Sequence, residues 1–148
     1  MELIDTLKNA ISDGKVVKLV LENSGVYCAG KTYYCISNLD ILVNDKEVFS
    51  ESEKVMRGST MWLSNYTGAR LEKMFSDISE ALYEYCSNIA EEMLRKENVS
   101  DYHCDESGNI VFEKNGITYW IVFTDSYERH YIGKHIFVVY FYKPVMKT

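Results

Sequence analysis

Cys104, with His130 or His135, is the combination in this 148-residue sequence that could assemble nucleophilic chemistry, an imidazole taking the proton of a thiol. His103 is a poor base for its neighbour Cys104, because adjacent residues on a strand point to opposite faces. The ordinary reading of Cys104 is a buried, inert thiol. Glu80, Glu84 and Glu91 fall at spacings that could line carboxylates along one helix stripe for acid-base or metal work, yet glutamates on an exposed helix face are normally solvated. The four cysteines, Cys28, Cys35, Cys86 and Cys104, form no CxxC pair. Neither the Cys28/Cys35 nor the His103-Cys104 spacing resembles a zinc knuckle, whose paired ligands sit about two to four residues apart. Neither HExxH nor GxSxG occurs. The chain is therefore expected to be non-enzymatic, with no cofactor and no metal.

A different kind of chemistry is offered by Tyr127, Glu128, Arg129, His130 and Tyr131, a polar-aromatic cluster in a segment, Asp125–Lys134, that reads as a loop, with Tyr127, Arg129, His130 and Tyr131 as the candidate partner-binding residues. Such clusters are typical of partner-binding surfaces, although many loops of this kind only join strands. Twelve Tyr and two Trp against one Pro extend the same bias over the whole chain. The net charge of −6 argues against a general DNA or RNA coat protein, which needs Lys and Arg to neutralise phosphate. It permits a small basic patch or a basic protein partner.

The elements that must position these residues are α and β in alternating blocks. Leu3, Ile4, Leu7 and Ile11 recur at helical spacing and Gly14 can end that helix. Val17, Leu19 and Leu21 alternate as a strand, Glu22–Gly25 offers a turn into Val26–Ile36, and Leu39–Val43 is a further strand turned back by Asn44-Asp45 toward Glu47–Phe49. Ser50–Lys54 reads as an exposed loop, and Val55–Ser64 as two short strands joined at Gly58. Leu71, Met74, Phe75, Ile78, Leu82, Tyr85, Cys86, Ile89 and Met93 then follow three-and-four spacing, predicting one long amphipathic helix over about 69–97. Strands return at Tyr102–Cys104, Ile110–Glu113 and Ile117–Thr124, with an Asn115-Gly116 hairpin turn. His135–Tyr142 is apolar at nearly every position and should lie centrally in a sheet, covered on both faces. No apolar run approaches the ~18 residues of a membrane span and the start does not read as an export signal, so a cytoplasmic location with reduced thiols and no membrane contact is expected.

The first half resembles the Sm and Sm-like family. Lys18-Leu19-Val20-Leu21-Glu22-Asn23-Ser24-Gly25, followed by Gly30, resembles its first motif, Leu39-Asp40-Ile41-Leu42-Val43 its third strand, and Val55-Met56-Arg57-Gly58-Ser59-Thr60-Met61 its second motif. The resemblance implies an SH3-like, Sm-like small β-barrel over 1–66 that joins other copies edge to edge as a homo-oligomer. It implies a nucleotide or short RNA held by Arg57 and Gly58, with Asp40 standing where the family has a base-contacting Asn. A carboxylate accepts hydrogen bonds but cannot donate one, and it repels phosphate, so Asp40 departs from the family's chemistry. The plain reading of Arg57-Gly58 is a β-bend with an outward arginine.

The expected architecture is thus α+β: the barrel with its N-terminal helix, then a unit over 67–148 in which the long central helix packs on a four-stranded antiparallel β-meander. Two functions from different classes fit it. One is an Sm-like, oligomeric binder of a nucleotide or short RNA. The other is a small acidic protein-interaction module, such as a phage or mobile-element inhibitor of the counter-defence or immunity type, acting on a basic partner whose association is steered by charge.

Overall fold

A computed structural model of the chain describes residues 2–29, 32–56, 69–131 and 134–148. The order is α1 (Glu2–Ser12), β1 (Val17–Ala29), β2 (Thr32–Val43), β3 (Lys46–Met56), α2 (Ala69–Lys96), β4 (His103–Cys104), β5 (Ile110–Lys114), β6 (Ile117–Tyr131) and β7 (Lys134–Lys147). All seven strands form a single antiparallel sheet in the order β3-β2-β1-β7-β6-β5-β4.

This open sheet overturns the expected barrel. A barrel over 1–66 would close β1–β3 on themselves, whereas the free edge of β1 is taken by β7, from Val17 opposite Phe141 to Ser24 opposite Lys134. The first three strands and the last four are therefore one sheet, and the C-terminal meander is its continuation. β7 does lie centrally, fourth of seven, but the described helices cover one of its faces and not both as expected.

Both helices pack on the same face of the sheet. Leu7 and Ile11 of α1 and Ile78, Leu82, Cys86, Ala90 and Leu94 of α2 share one core with Leu19, Ile41, Ile110, Phe112, Ile121, Phe123 and Phe141. Alternation along the strands dictates this, because residues two apart share a face: Val17, Leu19 and Leu21 point to the helices while Lys18, Val20 and Glu22 point away. A smaller cluster, Leu21, Leu39 and Leu71 with Phe49, Phe75 and Phe137, fixes the N-terminal end of α2 over β1, β2 and β7. Glu53 of β3 accepts a hydrogen bond from the Leu71 N–H, satisfying one of the amides that a first helical turn leaves unpaired, and Arg70 pairs with Glu51 at 2.9 Å. At 28 residues, α2 runs about 42 Å across the sheet.

Several local expectations change with the sheet. Glu22–Gly25 is no turn: β1 runs through it, with a register irregularity between Ser24 and Tyr27. Ser50–Lys54 is the middle of β3, and its Glu51 and Glu53 serve α2. Residues 125–131 continue β6, and β7 begins at Lys134, so the expected loop is two long strands of a hairpin. Asn44-Asp45 and Asn115-Gly116 do turn, each pair with positive φ.

Candidate functional site

Because 125–131 is strand, its residues alternate between the two faces, and the polar-aromatic cluster is divided. Tyr127 and Arg129 point away from the helices, Glu128 and His130 toward them. Tyr131 is paired with Lys134 at the end of the hairpin.

On the helix side, Glu128 Oε1 lies 2.5 Å from His135 Nε2 and 3.0 Å from His130 Nε2. The two imidazoles stack with centroids 4.0 Å apart, and His135 also packs on Phe137 at 4.1 Å. His135 is buried, while Glu128 and His130 are exposed. The hydrogen bond to His135, joined by a lesser contribution from His130, holds the Glu128 carboxyl below the usual carboxylate range. Cross-strand pairing extends this spot into a polar row beyond the apolar cluster: Glu53, Ser37, Asn23, His135 and His130 stand opposite one another on β3, β2, β1, β7 and β6.

The other face of the sheet has no described element packed on it. There Ser50, Asp40, Val20, Val138 and Tyr127 form the corresponding row across five strands. Three strand spacings separate Asp40 from Tyr127, about 14 Å. The Asp40 carboxylate accepts a hydrogen bond from Ser50 Oγ at 2.6 Å. Three tyrosines on this face each carry a cation over the ring: Lys54 over Tyr34 at 4.0 Å, Arg129 over Tyr127 at 5.1 Å and Lys18 over Tyr140 at 5.5 Å. Lys134 pairs with Glu22 at 2.9 Å. Tyr127 in this row, and Trp120 and Val145 toward the far end of the sheet, remain exposed, at 39%, 36% and 47%.

No protein-family model, curated protein or solved structure matches the chain. The site therefore rests on its own geometry.

Of the residues singled out in the sequence, Arg57 and Gly58 lie outside the described ones. Asp40 and the Tyr127/Arg129 pair share the open face, and His130 joins His135 on the other. Cys104, expected to be buried, is exposed on the two-residue edge strand β4, two strands from β6 and three from β7, whereas His130 and His135 meet Glu128. Glu80, Glu84 and Glu91 are exposed on α2. Glu128 was legible in the sequence only as a member of the polar-aromatic cluster, and Asn23 only as a turn residue. Glu128-x-His130 is the period-two spacing that places two side chains on one face of a strand, but that signal appears only once 125–131 is known to be strand. No helix among the described residues is long and apolar enough to cross a membrane.

Proposed function

We propose that this chain is a non-enzymatic protein-interaction module that holds a basic protein partner on the open face of its sheet. The observation that supports it is a seven-stranded sheet with helices on one face and, on the other, exposed Trp120, Tyr127 and Val145 beside tyrosines already covered by cations. Trp, Tyr and Arg are the residue types that dominate the energetics of protein interfaces. These rings hold Lys18, Lys54 and Arg129 of this chain, so a partner's Lys or Arg docks on them by displacing those side chains. A chain of net charge −6 attracts such a partner over distance, raising the association rate at low ionic strength. An inhibitor or immunity-type role, in which the acidic module blocks the basic cleft of its target, is the class of activity this chemistry suits.

Affinity capture compares the wild-type chain with Trp120→Ala and Tyr127→Ala. A basic protein retained by the wild type, released by added salt and lost from both variants supports the proposal. Retention that both variants leave intact overturns the assignment of the face, and capture of nucleic acid alone returns the chain to the nucleotide-binding class.

A further inference from the structure

Glu128, His130 and His135 bring one carboxylate oxygen and two imidazole nitrogens to one point, all ligand atoms within 4.8 Å of one another. A tetrahedral zinc ion with bonds of about 2.0–2.1 Å needs its ligand atoms roughly 3.3 Å apart, so modest side-chain rotations convert the cluster into a coordination sphere. The backbone is suited to it. Glu128 and His130 are two apart on β6, and His135 stands directly opposite His130 on β7. Three ligands therefore come from two hydrogen-bonded strands, positioned by pairing rather than by a loop.

A second observation lies beside them. Asn23 is 1% exposed, and among the described residues neither its Oδ1 nor its Nδ2 has a hydrogen-bond partner. It is the cross-strand neighbour of His135 on the same face of the sheet. A buried carboxamide with both polar atoms unsatisfied is costly, and such a group calls for a ligand that completes it. Glu128 also lines a cavity of about 300 Å³ with Phe75, Ser79, Ser126 and Phe137, and the buried Ser79 Oγ likewise has no partner among the described residues.

We propose that Glu128, His130 and His135 bind one divalent transition-metal ion, with Zn²⁺ the favoured occupant, and that Asn23 serves the bound ion or its water from the adjoining strand. Imidazole and carboxylate are zinc's common nitrogen and oxygen donors, and three protein ligands leave a fourth position open. Zinc requires both Nε2 atoms unprotonated, with the ring protons on Nδ1. The site is independent of the proposed docking face, since it lies on the helix side of the same hairpin. Its occupancy staples β6 to β7 behind Tyr127 and Arg129.

Titration of the purified full chain with Zn²⁺ against a chromophoric chelator at neutral pH tests this. One equivalent per chain is expected, and binding should weaken at least about tenfold in both His130→Ala and Glu128→Gln, which replace exposed residues, while Cys104→Ser binds as the wild type does. Should either variant misfold, imidazole nitrogen NMR of the wild type decides: zinc must shift Nε2 of both His130 and His135. Substoichiometric binding, binding unchanged in both variants, loss in Cys104→Ser alone, or unshifted imidazole resonances overturns the site.

Discussion

Asn109 and Thr124 exchange two hydrogen bonds at the irregularity in β6: Asn109 Nδ2 donates to the Thr124 carbonyl at 3.0 Å and Oδ1 accepts from the Thr124 N–H at 3.1 Å. The same Oδ1 accepts from the Phe123 N–H at 2.8 Å, and Thr124 Oγ1 donates to the Tyr140 carbonyl. The β6–β7 register slips between Val122 and Thr124, which frees backbone groups from the ladder, and the buried Asn109 side chain takes them up. This slip turns Phe123 and Thr124 toward the helices and sets the phase of everything beyond, including the Tyr127/Glu128 alternation. Asn109→Ala strands those groups, so urea unfolding should show a loss of about 2–4 kcal/mol, and Asn109→Asp should recover only part of it because a carboxylate cannot donate to the Thr124 carbonyl.

The helix layer is held by shape and burial. Leu82 is fully buried between the helices and the sheet, in one core with Phe123 and Phe141. Leu82→Ala should cost about 2–5 kcal/mol in denaturant unfolding, while Glu84→Ala, two residues on and exposed, should stay within about 0.5 kcal/mol.

Leu71 to Met93 was the most legible part of the chain, because a period of 3.6 repeated over many turns has no competing reading. Strand existence was legible too, through Val17, Leu19 and Leu21 and through the Asn-Gly turn at 115–116. Pairing was not. Nothing local to Val17–Ser24 says that its partner is Lys134–Phe141, more than a hundred residues on, and motifs around Gly25 and Asp40 point to a barrel instead. The turn residues Glu22-Asn23-Ser24-Gly25 misled for the same reason: tertiary pairing on both sides of β1 overrides their preference. The candidate metal residues were hidden because charged and polar residues at 125–131 resemble a loop. Only a strand gives Glu128 and His130 a common face, and only β7 supplies His135.

Cys86 and Cys104 should differ sharply in reactivity. Burial pushes the Cys86 thiol up to about 12, whereas Cys104 is exposed. At pH 8 the Cys86 thiolate is on the order of 10⁻⁴ of the population, so iodoacetamide followed by peptide mapping should find Cys104 modified in the native chain and Cys86 only after unfolding.

The same burial gives stability a pH dependence. Cys86, Tyr83 and Tyr142 have folded-state values raised chiefly by burial, so the folded chain favours their protonated forms. Their contribution is complete below the unfolded values, about 9 for the thiol and 10 for the phenols, and is lost as pH rises toward the folded ones. Thermal midpoints should fall between pH 9 and 11 rather than between 6 and 8, and a flat profile across the alkaline range would count against the burial of these groups.

Gly108 and Tyr83 make the turn before β5 intolerant of a side chain. The Tyr83 hydroxyl donates to the Gly108 carbonyl at 2.7 Å, tying α2 to that turn, and Gly108 adopts φ +91°. A Cβ at position 108 would lie 3.0 Å from Tyr83 Cε2 in a backbone region that L residues avoid, so ring displacement and strain act together. Gly108→Ala should destabilise by about 1–3 kcal/mol. Gly116, also at positive φ but with open space where its Cβ would go, isolates the backbone part, so Gly116→Ala should cost about 1 kcal/mol. Tyr83→Phe should remove the hydrogen bond alone, at about 1 kcal/mol. Combining Gly108→Ala with Tyr83→Ala, which clears the ring, should cost less than the sum of the two; strict additivity in urea unfolding would show that the contact between them is not what excludes a side chain there.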